Sequence, residues 1–186
     1  LLMKAEAFYD QRYNELRAAG KSGWTDEESP NYAIHLADLT EMLAQPWRPE
    51  SGRALEAGCG AGNWSFVLAD AGFDVTGLDL SPEAIKWARA KARKRRPDVG
   101  AGSVEFLCRD ATDMAFLGEN RFDFVLDGFL LHCLMVEDRP DFLAQVRHVL
   151  KPRGIFMVQS FCAEDLDAPE WKDWNIDPDS RYEMDE

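Results

Sequence analysis

Glu56 stands two residues before the first of three alternate glycines, Gly58, Gly60 and Gly62, in the run Ala-Leu-Glu-Ala-Gly-Cys-Gly-Ala-Gly. Glycines at that spacing leave the backbone bare where a strand turns into a helix, so a ligand can lie against the main chain. A nucleotide-phosphate loop has the same bareness, but a carboxylate in it would repel a pyrophosphate. It would hold a cation. The dinucleotide fingerprint also wants glycine or alanine five residues after its first glycine. Counted from Gly58 that place holds Asn63, and from Gly60 it holds Ser65. Further on, in Gly-Leu-Asp-Leu-Ser-Pro, Asp79 lies 19 residues beyond Gly60 and offers a carboxylate able to accept both hydroxyls of a ribose. Leu80 would flank the ribose or its base. Together these residues ask for a nucleoside that carries positive charge and no phosphate.

The elements that must hold these residues are legible in the pattern. Ala5 to Ala19 has Phe8, Tyr9, Tyr13 and Leu16 near helical spacing, closed by Gly20. A polar loop holding Trp24 leads to a second helix from Asn31 to about Gln45. Beyond Pro46, Pro49 and Gly52, strand and helix patterns alternate. Strands are expected at Arg53–Ala57, Asp74–Leu78, Val104–Cys108, Phe122–Leu126 and Ile155–Ser160. Helices are expected at Asn63–Ala71, from the Ser81 cap with Pro82 in first position to before Pro97, and at Asp138–Leu150. Lys151-Pro-Arg-Gly154 reads as the turn into the last strand. Apolar strands alternating with helices predict an α/β fold with a doubly wound, mostly parallel sheet covered on both faces. Ligands of such sheets sit beyond the carboxyl ends of the strands, where the strand order reverses. Residues just after each strand are therefore the functional candidates.

With 186 residues, 46% of them hydrophobic, the chain can bury one core. The organisation expected is an N-terminal helical cap over residues 1–50, an α/β core over 51–162 and an acidic tail or incomplete substrate loop over 163–186. A net charge of −13 argues against a broad nucleic-acid footprint. The charge is uneven: ten acids and two bases between Ala163 and Glu186 give −8 of it. That stretch lacks apolar periodicity and is expected to dock loosely. The one basic run, Lys86 to Arg96, reads as a solvated helix face. Cys59, Cys108, Cys133 and Cys162 show neither a CxxC pair nor zinc-ligand spacing, which suits a reducing cytoplasm and no metal. No apolar run has the length of a membrane span.

The known cofactor that joins a nucleoside to ammonium and sulfonium charges is S-adenosylmethionine, and Glu56-x-Gly58-x-Gly60-x-Gly62 resembles the first motif of the class I, Rossmann-like methyltransferases. The resemblance runs from about Arg53 to Cys162 and covers four strand-end motifs in order. It implies that the glycine loop holds the methionine part of the cofactor, with Glu56 facing the ammonium. It implies that Asp110, in Arg-Asp-Ala-Thr after the third strand, receives the adenine amine while the Ala111 backbone meets a ring nitrogen. Met114 and Phe116 are better read as packing. Asp127, at the end of the fourth strand, joins the cofactor contacts. The segment Asp127-Gly-Phe-Leu-Leu-His132-Cys133 has neither the Asn/Asp-Pro-Pro-Tyr pattern of amino methylation nor the Pro-Cys of cytosine methylation. It looks like the small-molecule members, where a Leu-His pair often follows this strand.

His132 is the candidate general base, because its ordinary pKa near 6.5 needs little tuning; a structural histidine is the alternative. His148 reads as a solvated helix residue, and His35 could lie near a cofactor lid. In similar enzymes the leading segment folds over the cofactor, which makes Tyr13 and Trp24, with Tyr9, candidates for the acceptor pocket. The function expected is methyl transfer from S-adenosylmethionine, leaving S-adenosylhomocysteine, to O, N or S of a small molecule. The alternatives are a protein or RNA methyltransferase, or a non-catalytic S-adenosylmethionine-binding module. No nucleic-acid or membrane partner is expected. The family usually adds two more strands after the fifth, and no strand pattern follows Cys162. A continuation of the chain or a partner is expected to cover that sheet edge.

Overall fold

The computed structural model describes residues 5–160. Five parallel strands form one sheet in the order β3-β2-β1-β4-β5: β1 (Gly52–Ala57), β2 (Phe73–Asp79), β3 (Val104–Cys108), β4 (Phe122–Gly128) and β5 (Leu150–Gln159). The α/β, Rossmann-like arrangement expected from the alternating pattern is present. The chain runs outward from β1 through β2 to β3, then crosses back to place β4 on the other side of β1. The strand order reverses between β1 and β4, at whose carboxyl ends Ala57 pairs with both Leu78 and Asp127.

Period-two alternation decides which strand-end residues can meet. Ala54 on β1, Phe124 and Leu126 on β4, and Ile155 and Met157 on β5 pack on one face against helices α2 (Pro30–Leu43) and α3 (Asn63–Asp70). Leu55, Ala57, Val125 and Phe156 turn to the other face, under Phe142, Val146 and Val149 of α5 (Arg139–Val149). By the same alternation Glu56, Gly128 and Gln159 belong to the α2/α3 face and Asp127 to the α5 face. The fully buried Phe73, Phe122, Phe124 and Phe142 anchor these layers, each contributing about 1.5–3 kcal/mol by leaving water.

Helix α4 (Pro82–Lys94) starts as its sequence dictates: Ser81 Oγ accepts from Ala84 N at 3.1 Å, and Pro82 occupies the first turn. It buries Ala84, Ile85, Trp87 and Ala88. The leading helix α1 (Ala5–Ala18) packs on α4 through Tyr13, with Tyr9 and Leu16 beside it. The basic run along α4 is divided: Lys86, Arg93, Lys94 and Arg96 are exposed, as expected of a solvated face, while three bases are tied into the fold. Arg89 donates to the Phe106 carbonyl, Lys91 to Ser22 O and Asn63 Oδ1, and Arg95 pairs with Asp70.

The Lys151-Pro-Arg-Gly154 segment differs from the plain turn expected. β5 already begins at Leu150, opposite Phe122, and resumes at Ile155 opposite Phe124, so the intervening residues bulge out of the ladder. Arg153 takes φ +68° within that bulge. Short 3₁₀ turns at Ala115–Leu117, Leu131–Cys133 and Val136–Asp138 are also absent from the sequence reading, because three-residue turns leave no periodicity. The expectations for Cys162, the acidic stretch 163–186 and the last two strands lie outside the described residues. No helix among the described residues is long and apolar enough to cross a membrane.

Candidate functional site

Glu56 is wholly buried at the carboxyl end of β1. One oxygen, Oε2, accepts a hydrogen bond from Ser65 Oγ on α3; the other, Oε1, is buried with no hydrogen-bond partner. Burial pushes its pKa up to about 8, against the Ser65 hydrogen bonds. A buried carboxylate oxygen left unpaired costs about 1–3 kcal/mol, which protonation or a donor from a ligand relieves. Gly128, on the neighbouring strand β4, leaves space beside that oxygen. A Cβ there would stand 3.4 Å from Glu56 Oε1 and 3.2 Å from Trp64 Cδ1.

The three loop glycines all take positive φ, +73°, +51° and +82° at Gly58, Gly60 and Gly62. Asp79, half-buried at the end of β2, fastens the loop: Oδ2 accepts from Gly60 N at 2.8 Å and Oδ1 from Ser81 N at 2.9 Å. One carboxylate thus joins the glycine loop to the start of α4. Burial raises its pKa to about 6, opposed by these two backbone donors and reinforced by Asp10. Asp10 reaches across from α1, where Oδ1 accepts from Ser81 Oγ and from Glu83 N at 3.1 Å. Each Asp79 oxygen keeps a second lone pair for a hydroxyl. Leu80 is half-buried beside it.

Tyr13 is set against the glycine loop itself. Its ring is 6% exposed, packed with Ala61, Ala84 and Trp87, and burial together with the Asp79 charge holds its pKa well above the usual value. A Cβ added at Gly60 would meet the Tyr13 hydroxyl at 2.5 Å. Gly60→Ala is therefore expected to lower stability by about 1–2 kcal/mol, from the left-handed backbone and the displaced phenol. Urea unfolding measures this, and an unchanged midpoint would show that both relax freely. Trp24 lies outside Tyr13 and Tyr9, with ring centroids 5.6 and 5.7 Å away, and is 40% exposed.

Asp110 is exposed, and its Oδ1 closes a turn by accepting from Thr112 N at 2.9 Å and Thr112 Oγ1 at 2.8 Å. Ala111 is buried in the core that contains Met114. Phe116, read from sequence as packing, is instead 48% exposed, with Arg109 over its ring at 5.7 Å. Asp127 is fully buried but engaged away from the Glu56 face. Its carboxylate accepts from Leu130 N at 2.6 Å and Leu131 N at 3.2 Å, organising the loop that carries His132. Burial raises its pKa to about 6, against those donors.

His132 sits in the turn Leu131–Cys133, half-buried, with Nδ1 3.3 Å from Ser160 Oγ. The expectation of little tuning is corrected here: burial first, and repulsion from Arg139 second, pull its pKa down to about 4. The ring is neutral at ordinary pH and is a weak base. His35 on α2 packs against Phe129 with centroids 4.1 Å apart and the rings tilted by 36°, and Phe129 lies 6.2 Å from His132. Phe129 holds φ +72°, a costly conformation for a bulky residue, and its N–H is bound to Gln159 O. His148 lies on α5, 3.9 Å from Glu119. Sequence reading overlooked Phe129, Gln159 and Ser160. The strand-end rule, applied to β5 as to the other four strands, would have singled out the last two.

The residues fit a cationic nucleoside cofactor: a buried unpaired carboxylate oxygen, a bare loop and a carboxylate fixed at its rim. Comparison with known proteins agrees. The family profile described as a methyltransferase domain matches residues 54–154. The chain is 30% identical over 84% of its length to a demethylmenaquinone methyltransferase of Renibacterium salmoninarum, and 29% over 81% to a ubiquinone biosynthesis O-methyltransferase of Xanthomonas axonopodis. It is 37% identical over 63% of its length to a Drosophila melanogaster eEF1A lysine and N-terminal methyltransferase homolog. The chain spans 63%, 61% and 16% of the lengths of these relatives. Among solved structures, a SAM-dependent methyltransferase of Methanosarcina mazei superposes with TM-score 0.61 and 28% identity, over 69% of this chain and 61% of that one.

Proposed function

The chain belongs to the S-adenosylmethionine-dependent methyltransferases, and from that premise we propose that it methylates a nucleophilic atom of a small molecule. The observation that carries the reading is Glu56 Oε1, buried and unpaired beside the glycine loop. Glu56 would meet the ammonium, the loop backbone the methionine carboxylate, and Asp79 the ribose hydroxyls. Bound S-adenosylmethionine supplies a methyl carbon on a positively charged sulfur, an already activated group.

The chain's own residues then need to position the acceptor, exclude water and remove one proton. As an acceptor oxygen bonded to that methyl carbon, the carbon–sulfur electrons would leave with sulfur and the hydroxyl proton would become acidic. His132, neutral at ordinary pH, would take that proton while the oxygen–carbon bond forms, when even a weak base lowers the barrier, with Ser160 fixing the ring. The quinone-pathway relatives support a small-molecule acceptor. The lysine methyltransferase relative keeps a protein acceptor as the second reading, which peptide methylation would reveal.

Calorimetry tests the cofactor. S-adenosylmethionine and S-adenosylhomocysteine are expected to bind, and a preference for NAD would overturn the assignment. Asp79→Ala should weaken cofactor binding by about 1.5–3 kcal/mol, through lost hydroxyl contacts and a loosened loop. An unchanged dissociation constant in a folded variant removes Asp79 from the ribose role.

A further inference from the structure

Lys91, half-buried on α4, joins three segments of the chain. Its Nζ donates to the Ser22 carbonyl, in the loop between α1 and α2, and to Asn63 Oδ1 at 2.5 Å. Asn63 is the first residue of α3, directly after Gly62. The loop presses close at this point: a Cβ on Gly23 would meet Asn63 Nδ2 at 2.7 Å. The Trp87 ring centroid lies 5.2 Å from the same ammonium. Lys91 therefore ties the loop that carries Trp24 to the residue that follows the glycine loop. The cofactor reading gives it no role.

The same residue lines a surface cavity of about 300 Å³ with an apolar wall of Tyr32, Phe66 and Val67. The charged groups around it are Glu27 from the α1–α2 loop, Asp70 on α3 and Arg95 on α4. Arg95 is spent on Asp70 and on the Gly102 carbonyl. Burial lowers the Lys91 pKa to about 8, against the Glu27 charge. At pH 7 about a tenth of the amine is then neutral, far more than for an ordinary lysine. A neutral amine has two N–H groups, one for each of its oxygen partners, and a lone pair left over. Burial of this kind is what makes a lysine a nucleophile.

We propose that Lys91 is an acylation site, taking a short uncharged acyl group from a thioester, and that acylation frees the α1–α2 loop from α3. The amine nitrogen bonds to the thioester carbonyl carbon, the carbon–sulfur bond breaks with its electrons on sulfur, and the amine proton leaves with the thiol. The amide product keeps one N–H, so Ser22 O and Asn63 Oδ1 can no longer both be satisfied. Its positive charge is lost as well. Glu27 and Asp70 line the cavity that receives the acyl group, and a chain ending in a carboxylate would meet both. The effect on cofactor affinity rests on the methyltransferase reading, because Asn63 opens the helix after the glycine loop.

The test treats the whole chain at neutral pH with the acetyl thioester of N-acetylcysteamine, and in parallel with the succinyl thioester. Peptide mass spectrometry reads each lysine. Lys91 should acetylate about tenfold faster than Lys86, which is exposed on the same helix and paired with Glu83. The succinyl ester should lose that preference. Protein acetylated at Lys91 should bind S-adenosylhomocysteine about three- to tenfold more weakly, on the scale of one lost hydrogen bond. Lys91→Arg keeps donors for both oxygens and takes no acyl group, so treatment should leave its affinity where it was. Acetylation of Lys91 no faster than Lys86, an equal preference with the succinyl ester, an affinity indifferent to Lys91 acetylation, or the same loss in treated Lys91→Arg overturns the proposal. Failure of the untreated chain to bind S-adenosylhomocysteine sinks the methyltransferase reading instead, and the labelling pattern still decides the acylation site.

Discussion

Glu56→Gln should weaken S-adenosylmethionine binding by about 3 kcal/mol, roughly a hundredfold, while the fold survives. The glutamine preserves volume and can still accept from Ser65 Oγ, but it carries no charge to meet an ammonium in a buried cleft. A second signature follows from protonation. Burial places the Glu56 pKa at about 8, so the free protein holds a neutral carboxylic acid at pH 7. A cation arriving at Oε1 favours the carboxylate and expels that proton. Calorimetry at pH 7 in two buffers of different ionisation enthalpy should therefore report proton release by the wild type and none by Glu56→Gln. Affinity should rise as pH climbs toward 8 and then level, because above that the carboxylate is already ionised. The sign for stability is opposite. Between 4.5 and 8 the folded, ligand-free chain binds a proton that the unfolded chain has lost, so Glu56 makes it less stable as pH rises through that window. Equal affinity of wild type and variant, with no proton released, would remove Glu56 from the ammonium role.

His132→Ala should lower turnover by about 10²–10⁴-fold on a hydroxyl acceptor with little change in cofactor affinity. An acceptor that arrives as a thiolate should suffer less, since it brings no proton to remove. With its pKa drawn down to about 4, His132 is deprotonated throughout the neutral range. The acidic limb of the rate profile should accordingly lie near pH 4, not near 6.5, and should vanish in the alanine variant. Stability changes sign-consistently: between 4 and 6.5 the unfolded chain takes a proton that the folded one refuses, so acidification through that window destabilises the wild type. If wild type and variant share one acidic limb on the same acceptor, another group takes the proton. His132 is then a structural residue bound to Ser160.

The amino-acid sequence by itself determined the sheet, the glycine loop and the cofactor chemistry. Those depend on local rules: apolar runs of strand length, Ser81-Pro82 opening a helix, and glycines at the three positive-φ positions of the loop after β1. Glu56 and Asp79 were legible because each sits at a fixed offset from that loop. What the tertiary structure decided is where strand-end side chains point and what they meet. Asp127 and Glu56 belong to adjacent strands and one end of the sheet, yet pleat parity sends Asp127 to the α5 face, where it holds the Leu130–Leu131 loop. Tyr13 came to Gly60, and Asp10 to Ser81, only through the docking of α1 on α4. His35 and Gln159 stand 124 residues apart and meet because β5 ends beside α2. The pKa of His132 was equally beyond sequence, since burial and Arg139 set it and neither is a local property. Covalent neighbours fix the backbone's menu, whereas desolvation and contact across the sheet depend on the packed whole.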